Sequence, residues 1–145
     1  MHTKRVTIKS SGATIPAIGI GTFGSDHIEA EVMAHAVKTA LDIGYRNIDC
    51  ASVYGNEREI GAVLKESTIA RGELWVTSKV WNDSHGKANV IKSAKQSLFD
   101  LGLDYLDLYL VHWPFPNYHP PHCDVDSRSP DARPFILEEF MDTWA

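Results

Sequence analysis

Residues 75–112 read WVTSKVWNDSHGKANVIKSAKQSLFDLGLDYLDLYLVH, and this stretch decides the fold. It opens with a strand-like apolar run at Trp75, and a second such run begins near Asp107. Between the two runs lies a helical pattern that Gly102 ends, with one apolar face formed by Val90, Ile91, Ala94 and Leu98. A strand, a helix and a second strand in this order predict a βαβ unit with parallel strands.

The same alternation extends toward the N-terminus. Strand-like runs begin near Gly19 and near Asn47, about 30 residues apart, which is the size of a βα unit. The helical pattern after the first run ends at Gly44 and has a predicted inner face of Val32, Met33, Ala36, Val37, Ala40 and Leu41. The shorter helix after the second run has a predicted inner face of Ile60, Val63 and Leu64.

The two ends of the chain complete the pattern. Residues 5–21 alternate, turn at "SSGAT" and lead out again, which predicts an N-terminal hairpin. Asp26 and Glu29 resemble a capping box before the first helix, and a fourth helix is predicted to begin near Leu137. Residues 113–136 hold six of the seven prolines and are expected to form one long loop.

Strands that alternate with helices predict a parallel sheet that is covered on both of its faces. Two α/β architectures fit this order. An open doubly wound sheet is complete with four or five strands, whereas a (β/α)8 barrel needs about 200 residues or more. In the second case the chain supplies the hairpin and only the first four βα units.

Composition excludes several classes of function. The chain has 145 residues, 43% of them hydrophobic, and a net charge of −5, so we expect a packed core and no nucleic-acid partner. No apolar run approaches the roughly 18 residues of a membrane span, so we expect no membrane partner. Two cysteines, Cys50 and Cys123, are too few for a disulfide scaffold, and the default location is therefore the reducing cytoplasm.

One glycine motif favours the doubly wound alternative. Gly19, Gly21 and Gly24 form a G-x-G-x-x-G pattern, and Asp49 follows at the end of the next predicted strand. This is the dinucleotide-binding fingerprint, provided that the third glycine lies at the start of a helix. Here the residues SDH intervene before the helical pattern, so the glycines are also explained by a close backbone approach around the first strand.

Polar residues at the strand ends give a more specific signal. Asp49, Lys79 and His112 each lie at the carboxyl end of a predicted parallel strand, and Tyr54 lies five residues after Asp49. Active sites occur at this edge of the sheet in both architectures. Any one of the four is unremarkable as a helix cap, a surface lysine or a core residue, but their convergence on one edge indicates a site.

These four residue types suit the reduction of a carbonyl group. A buried lysine needs a partner, which Asp49 offers. A charged lysine favours the ionised form of a nearby tyrosine, which then releases its proton more readily near pH 7. We therefore expect Tyr54 to protonate the carbonyl oxygen and neutral His112 to donate a second hydrogen bond to it, while a cofactor delivers hydride to the carbon.

Four stretches also resemble the signatures of one known family, in order and in spacing. They are GIGTFG (19–24), GYRNIDCASVYGNEREIGAVLK (44–65), WVTSKVW (75–81) and SLFDLGLDYLDLYLVHWPFP (97–116). On these motifs the chain resembles the aldo-keto reductases, the NADPH-dependent (β/α)8 barrel family. The resemblance covers nearly all of the chain but corresponds to only the N-terminal half of a family member.

The resemblance implies a role for each matching residue. Tyr54 matches the proton donor, Lys79 and Asp49 match the pair that tunes it, and His112 matches the residue that orients the substrate. The positions expected beside the nicotinamide-ribose are Gly21, Thr22 and Asp49. The expected substrate-binding residues are Phe23, Tyr54, Trp81, His112 and Trp113. Many family members have a tryptophan where this chain has Phe23.

The activity that the resemblance implies is the NADPH-dependent reduction of aldehydes and ketones to alcohols, with NADH as the alternative cofactor. We expect residues 1–145 to be the N-terminal half of a single barrel domain, incomplete and inactive when isolated. Half a barrel leaves two sheet edges exposed, so the chain is either part of a longer protein, which we favour, or one of two copies that pair. The intact protein is expected to be a monomer that acts on a small carbonyl compound.

Two other functions stay open at this point. Aldo-keto reductase folds also occur as structural or channel-associated proteins, although such a member could lose the four strand-end residues. A doubly wound dinucleotide-binding module would explain the glycines but not Tyr54, Lys79 and His112. A zinc site on the segment HPPHC, at His119, His122 and Cys123, is not expected because no second pair of ligands is present.

Overall fold

The computed structural model describes residues 4–24, 27–116 and 129–145. A hairpin comes first, and four strands that alternate with helices follow it. The hairpin strands are β1 (Arg5–Thr7) and β2 (Thr14–Pro16). The later strands are β3 (Ile20–Gly21), β4 (Asn47–Asp49), β5 (Trp75–Val80) and β6 (Leu108–Val111). The helices are α1 (Ala30–Asp42), α2 (Glu57–Glu66), α3 (Lys87–Leu101) and α4 (Leu137–Trp144).

The strand order identifies the architecture. Strands β3, β4, β5 and β6 lie side by side in chain order, and every neighbouring pair is parallel. A doubly wound sheet reverses its strand order at a switch point, whereas a (β/α)8 barrel adds each strand next to the last. The described sheet has no reversal, so the expectation of a partial barrel is confirmed and the doubly wound alternative is wrong.

The helices form one layer. Helix α2 contacts α1 on one side and α3 on the other, and α3 contacts α4. Right-handed crossovers that always step in the same direction place every helix on the same face of the sheet. In a barrel the second face of the sheet encloses the interior. None of the described helices is both long and apolar enough to cross a membrane.

The core lies between the helix layer and the sheet. Its fully or nearly fully buried members come from helices, from strands and from residues directly next to strands: Val37, Leu41, Ile48, Cys50, Ile60, Leu74, Val76 and Leu101. All six residues of β5 are buried, which fits a central strand of a parallel sheet. Val63 and Leu64 pack against this core as predicted for α2.

Two predicted helix faces are partly wrong. In α1 the buried residues are Ala34, Val37, Ala40 and Leu41, whereas Val32 and Ala36 are exposed. In α3, Ile91 is exposed and burial is concentrated at Ser97 and Leu101. The C-terminal end of α3 packs on α2 at Gly61, and the predicted face residues Val90, Ala94 and Leu98 are only partly buried.

The helix boundaries agree better with the sequence. Gly44 follows α1 and Gly102 follows α3, both with positive φ, as expected of glycines that end helices. Helix α4 begins at Leu137, as predicted. Asp26 of the predicted capping box lies outside the described residues, and α1 itself begins after Glu29.

Gly61 fixes how closely α2 and α3 pack. A Cβ atom added at Gly61 would lie 2.3 Å from the carbonyl oxygen of Asp100 and 2.9 Å from the Cα of Leu101. Both are backbone atoms of α3, which cannot rotate away as a side chain can. The two helices therefore approach at a distance that only glycine permits.

We expect Gly61→Ala to lower the free energy of unfolding by about 1–3 kcal/mol, the usual cost of overpacking a core. This loss opposes the higher helix propensity of alanine. Gly72→Ala is the matched control, because a Cβ at Gly72 meets nothing within 4 Å. Urea unfolding of the chain measures both variants, and equal stability of the two would contradict the close approach.

Candidate active site

The carboxyl edge of the sheet brings four polar side chains together. Asp49 is the last residue of β4, Lys79 is the fifth residue of β5, and His112 directly follows β6. Tyr54 ends a short 3₁₀ turn, Ser52–Tyr54, that follows β4. Because β4, β5 and β6 are parallel neighbours, their carboxyl ends lie at one edge and these side chains are within reach of one another.

Lys79 is the centre of the cluster. Its Nζ lies 2.8 Å from Oδ1 of Asp49 and donates a 2.8 Å hydrogen bond to the carbonyl oxygen of Cys50. It also lies 3.5 Å from Oη of Tyr54, at the far limit of a hydrogen bond. Lys79 is only 8% exposed, so these three oxygens replace the water that its ammonium group has lost.

Four aromatic rings line the same edge. The ring of Tyr54 lies 5.2 Å from that of Phe23 and 5.6 Å, edge-on, from that of His112. The ring of Trp81 packs edge-on against His112 at 5.1 Å. Phe23 is half-exposed. The row Phe23–Tyr54–His112–Trp81 thus presents an apolar wall next to a buried cation.

The surroundings keep His112 neutral at pH 7. The pKa of His112 is lowered to about 4, mainly by burial and next by the charge of Lys79, while Asp49 partly opposes this. Its backbone N–H donates to the carbonyl oxygen of Val80, which joins the end of β6 to β5. A neutral imidazole carries one N–H donor, which can hold a polar group in place.

The residues predicted beside a cofactor differ in accessibility. Gly21 pairs with Asp49 in the sheet, and a Cβ added at Gly21 would meet nothing within 4 Å. The side chain of Asp49 is 48% exposed despite its ion pair. Thr22 is fully buried, and its backbone N–H and its hydroxyl both donate to the carbonyl oxygen of Asp49.

The glycine motif does not have the geometry of the dinucleotide fingerprint. A Cβ at Gly19 would lie 2.8 Å from the side chain of Asn47, and a Cβ at Gly24 would lie 2.9 Å from that of Ile28. No helix starts at Gly24, since α1 begins only at Ala30. Gly19 and Gly24 are therefore required for packing around β3, and the interpretation of the motif as a fingerprint is wrong.

Sequence reasoning missed three polar residues that support the site. Asn56 donates a 2.8 Å hydrogen bond from Nδ2 to the carbonyl oxygen of Thr22, and Ser52 donates from Oγ to the carbonyl oxygen of Lys79. The third is Glu57, a buried carboxyl at the start of α2. All three lie within the run SVYGNE around Tyr54, whose density of small and polar residues was the available signal.

The remaining predictions concern the segment after β6. Trp113 follows His112 directly and is partly exposed. His119, His122 and Cys123 lie outside the described residues. Within residues 4–24, 27–116 and 129–145, no group of three His, Cys, Asp or Glu side chains has the arrangement of a metal site.

Comparison with known proteins places this geometry in a family. Residues 17–144 match the Aldo/keto reductase family. The chain is 50% identical over 109 residues to an aldo/keto reductase of Synechocystis, and this match covers 72% of the chain and 32% of that protein. It is also 50% identical over 110 residues to human aldo-keto reductase family 1 member A1, and this match covers 72% of the chain and 33% of the human protein.

Solved structures give the same result. A Bombyx mori aldo-keto reductase in complex with NADP superimposes with a TM-score of 0.80 at 32% sequence identity. The match covers 99% of this chain and 45% of the Bombyx mori chain. An aldo/keto reductase from Brucella melitensis gives a TM-score of 0.77 at 35% identity, with 99% and 47% covered. The chain thus spans less than half the length of each relative named here. It belongs to the aldo/keto reductase family.

Proposed function

We propose that the protein containing this chain reduces aldehydes and ketones to alcohols, with NADPH as the hydride donor and NADH as the alternative. The observation that carries the proposal is the buried ammonium group of Lys79, which contacts both Asp49 and Tyr54 beside a neutral His112. Family membership and the NADP complex of the silkworm relative support it.

The described residues fit the nicotinamide-ribose end of such a cofactor. Gly21 leaves open space beside Asp49. The half-exposed carboxylate of Asp49 retains lone pairs that can accept a hydrogen bond from a ribose hydroxyl. Thr22 acts here through Asp49, because both of its donors bind the Asp49 backbone. When bound, the cofactor supplies the hydride that the carbonyl carbon accepts.

Tyr54 donates the proton in this proposal. As negative charge develops on the carbonyl oxygen, the O–H bond at Oη of Tyr54 breaks and its proton passes to that oxygen. The nearby Lys79 ammonium stabilises the tyrosinate that remains. Asp49 and the carbonyl oxygen of Cys50 hold Lys79 in place during this step.

His112 orients the substrate and does not compete as an acid. Since its pKa lies near 4, it is neutral at the pH of the cytoplasm and donates one hydrogen bond to the carbonyl oxygen. In this proposal Phe23, Trp81 and Trp113 line the space around that oxygen and favour carbonyl compounds with an apolar or aromatic substituent. The small-molecule partner of the protein is therefore an aldehyde or ketone of this kind.

We also propose that this chain forms the first half of a single barrel. Strands β3 and β6 each have only one partner strand within the described sheet. Unpaired edges bind further strands readily. The remaining strands come either from a longer protein, giving a monomeric enzyme, or from a second copy, and the isolated chain is expected to be inactive because its site is open on that side.

A non-catalytic, structural role is the second candidate. The observation against it is the buried Lys79, since a buried charge is costly and an apolar side chain would stabilise the fold as well or better. A structural member has no reason to retain both the lysine and its tyrosine contact.

Replacement of Tyr54 by phenylalanine tests the proposed reaction. We expect the purified chain to show no turnover of NADPH with a simple aldehyde. A graft that carries this chain in place of the matching part of the 50% identical Synechocystis protein is expected to be active. In that graft Tyr54→Phe should lower kcat about 10²–10⁴-fold, the usual contribution of a general acid.

Matched controls make this result specific. Tyr45→Phe removes a hydroxyl from a tyrosine between α1 and β4 and is expected to leave kcat unchanged. Circular dichroism and NADPH binding confirm that each graft is folded. A folded Tyr54→Phe graft that reduces the aldehyde at the parental rate would contradict the role of Tyr54.

The neutral state of His112 has its own test. Its folded-state pKa of about 4 lies below the unfolded value of about 6.5. Between these pH values the unfolded chain binds more protons, so the contribution of His112 to stability is complete above pH 6.5 and is lost as the pH falls toward 4. Imidazole NMR signals should show His112 still neutral at pH 5.5.

Unfolding measurements check the same shift independently. His112→Asn should remove the part that His112 contributes to the fall in the free energy of unfolding between pH 6.5 and 4. His35→Asn, at an exposed position of α1, serves as the control. A His112 imidazole that titrates near pH 6.5 in the folded chain would contradict the neutral hydrogen-bond donor.

A further inference from the structure

Glu57 is a buried carboxyl group that the proposed reaction does not use. It is the first residue of α2, three residues after Tyr54, and is only 6% exposed. Ser78 donates a 2.6 Å hydrogen bond from Oγ to Oε1 of Glu57. Burial raises the pKa of Glu57, and hydrogen bonds from Ser78 and Ser97 partly oppose this rise. A buried carboxyl is costly, so its position calls for a physical explanation.

The partner of Glu57 lies next to Lys79 in the chain. Ser78 directly precedes Lys79 in β5 and is fully buried. Neighbouring residues of a strand point to opposite faces, so Ser78 lies on the face opposite Lys79. The hydrogen bond therefore joins the segment that carries Tyr54 to the strand that carries Lys79, from behind the sheet.

We propose that Glu57 is a positioning residue that sets the distance between Oη of Tyr54 and Nζ of Lys79 through its hydrogen bond to Ser78. The relevance of this distance to catalysis rests on the proposed reductase function. The positioning of Tyr54 by Glu57 does not rest on that function, because it concerns only contacts within the chain.

The segment between Tyr54 and Glu57 is short and held at both ends, so a shift of Glu57 also moves Tyr54. Gly55 has a φ of 67°, a left-handed conformation, so the chain turns sharply between the two residues. Asn56 is buried and bound to the carbonyl oxygen of Thr22, which fixes the middle of the segment to the end of β3. Glu57 fixes its far end to β5, leaving little freedom for Tyr54.

The contact that Glu57 protects is sensitive to small shifts. Nζ of Lys79 and Oη of Tyr54 are 3.5 Å apart, at the far limit of a hydrogen bond. Lys79 itself is held by Asp49 and by the carbonyl oxygen of Cys50, so it does not follow a displaced tyrosine. A movement of a few tenths of an ångström in the Tyr54 segment is enough to break the contact.

The hydrogen bond, and not the charge, is what positioning requires. The side-chain carbonyl of a glutamine can accept the same hydrogen bond from Ser78, whereas an alanine cannot. Glu57→Gln is therefore expected to preserve the contact between Tyr54 and Lys79. Glu57→Ala and Ser78→Ala are expected to lose it, each by removing one partner of the same bond.

The test uses the purified 145-residue chain without cofactor or substrate. The nuclear Overhauser effect between the Cε protons of Lys79, which do not exchange with water, and the ring protons of Tyr54 reports how close the two side chains lie. We expect it to fall below half of its original intensity in Glu57→Ala and in Ser78→Ala, and to be restored in Glu57→Gln. Because no cofactor is present, an absence of reductase activity leaves this result unaffected.

Two controls separate positioning from general loss of stability. Glu59→Gln changes another acidic residue of α2, and Val37→Ala removes buried volume from the core at α1. Both should retain the Tyr54–Lys79 signal, although Val37→Ala unfolds at lower urea concentration. Should Glu57→Ala fail to fold, Ser78→Ala carries the test alone.

Three results would overturn the proposal. The first is an unchanged Tyr54–Lys79 signal in folded Glu57→Ala or Ser78→Ala. The second is an equal loss of the signal in Val37→Ala, which would make it a consequence of stability alone. The third is the absence of the signal from the unsubstituted chain, since no contact would then exist to be positioned.

Discussion

The buried ammonium group of Lys79 is the constraint on which the site depends. A charge removed from water costs several kcal/mol unless oxygen atoms replace its hydration. Here the oxygens come from Asp49, from the backbone of Cys50 and from Tyr54. They can converge only if β4 and β5 are parallel neighbours with their carboxyl ends together. The fold and the site are thus two consequences of the same strand arrangement.

The same cation determines the chemistry around it. In the proposed reaction it stabilises the negative charge left on Tyr54, and together with burial it lowers the pKa of His112. Two neighbouring hydrogen-bonding groups consequently have different roles in the proposed reaction, one as acid and one as donor only. Behind the sheet, Glu57 and Ser78 join the two segments that carry Tyr54 and Lys79. The short distance between Tyr54 and Lys79 is therefore held by rigid elements and not by a free loop.

Much of this could be predicted from the sequence, for identifiable reasons. Strand periodicity and repeat spacing located Asp49, Lys79 and His112 at strand ends, and parallel strands necessarily bring such ends together. Helix faces were less predictable, because whether Val32 or Ile91 is buried depends on neighbouring helices that local periodicity does not describe. Glu57 was missed because an acidic residue at the start of a helix is ordinarily explained by the helix dipole.

The stability of Lys79→Met tests the central claim most directly, namely that the buried cation serves chemistry and not folding. Asp49 is half-exposed, so loss of Lys79 leaves it hydrated, and methionine fills the space of the lysine stem. The account predicts that Lys79→Met unfolds at the same or a higher urea concentration, while Asp49→Asn, which leaves the buried ammonium without its carboxylate, is clearly less stable. A loss of about 3–5 kcal/mol in Lys79→Met, the usual cost of breaking a buried pair, would contradict it.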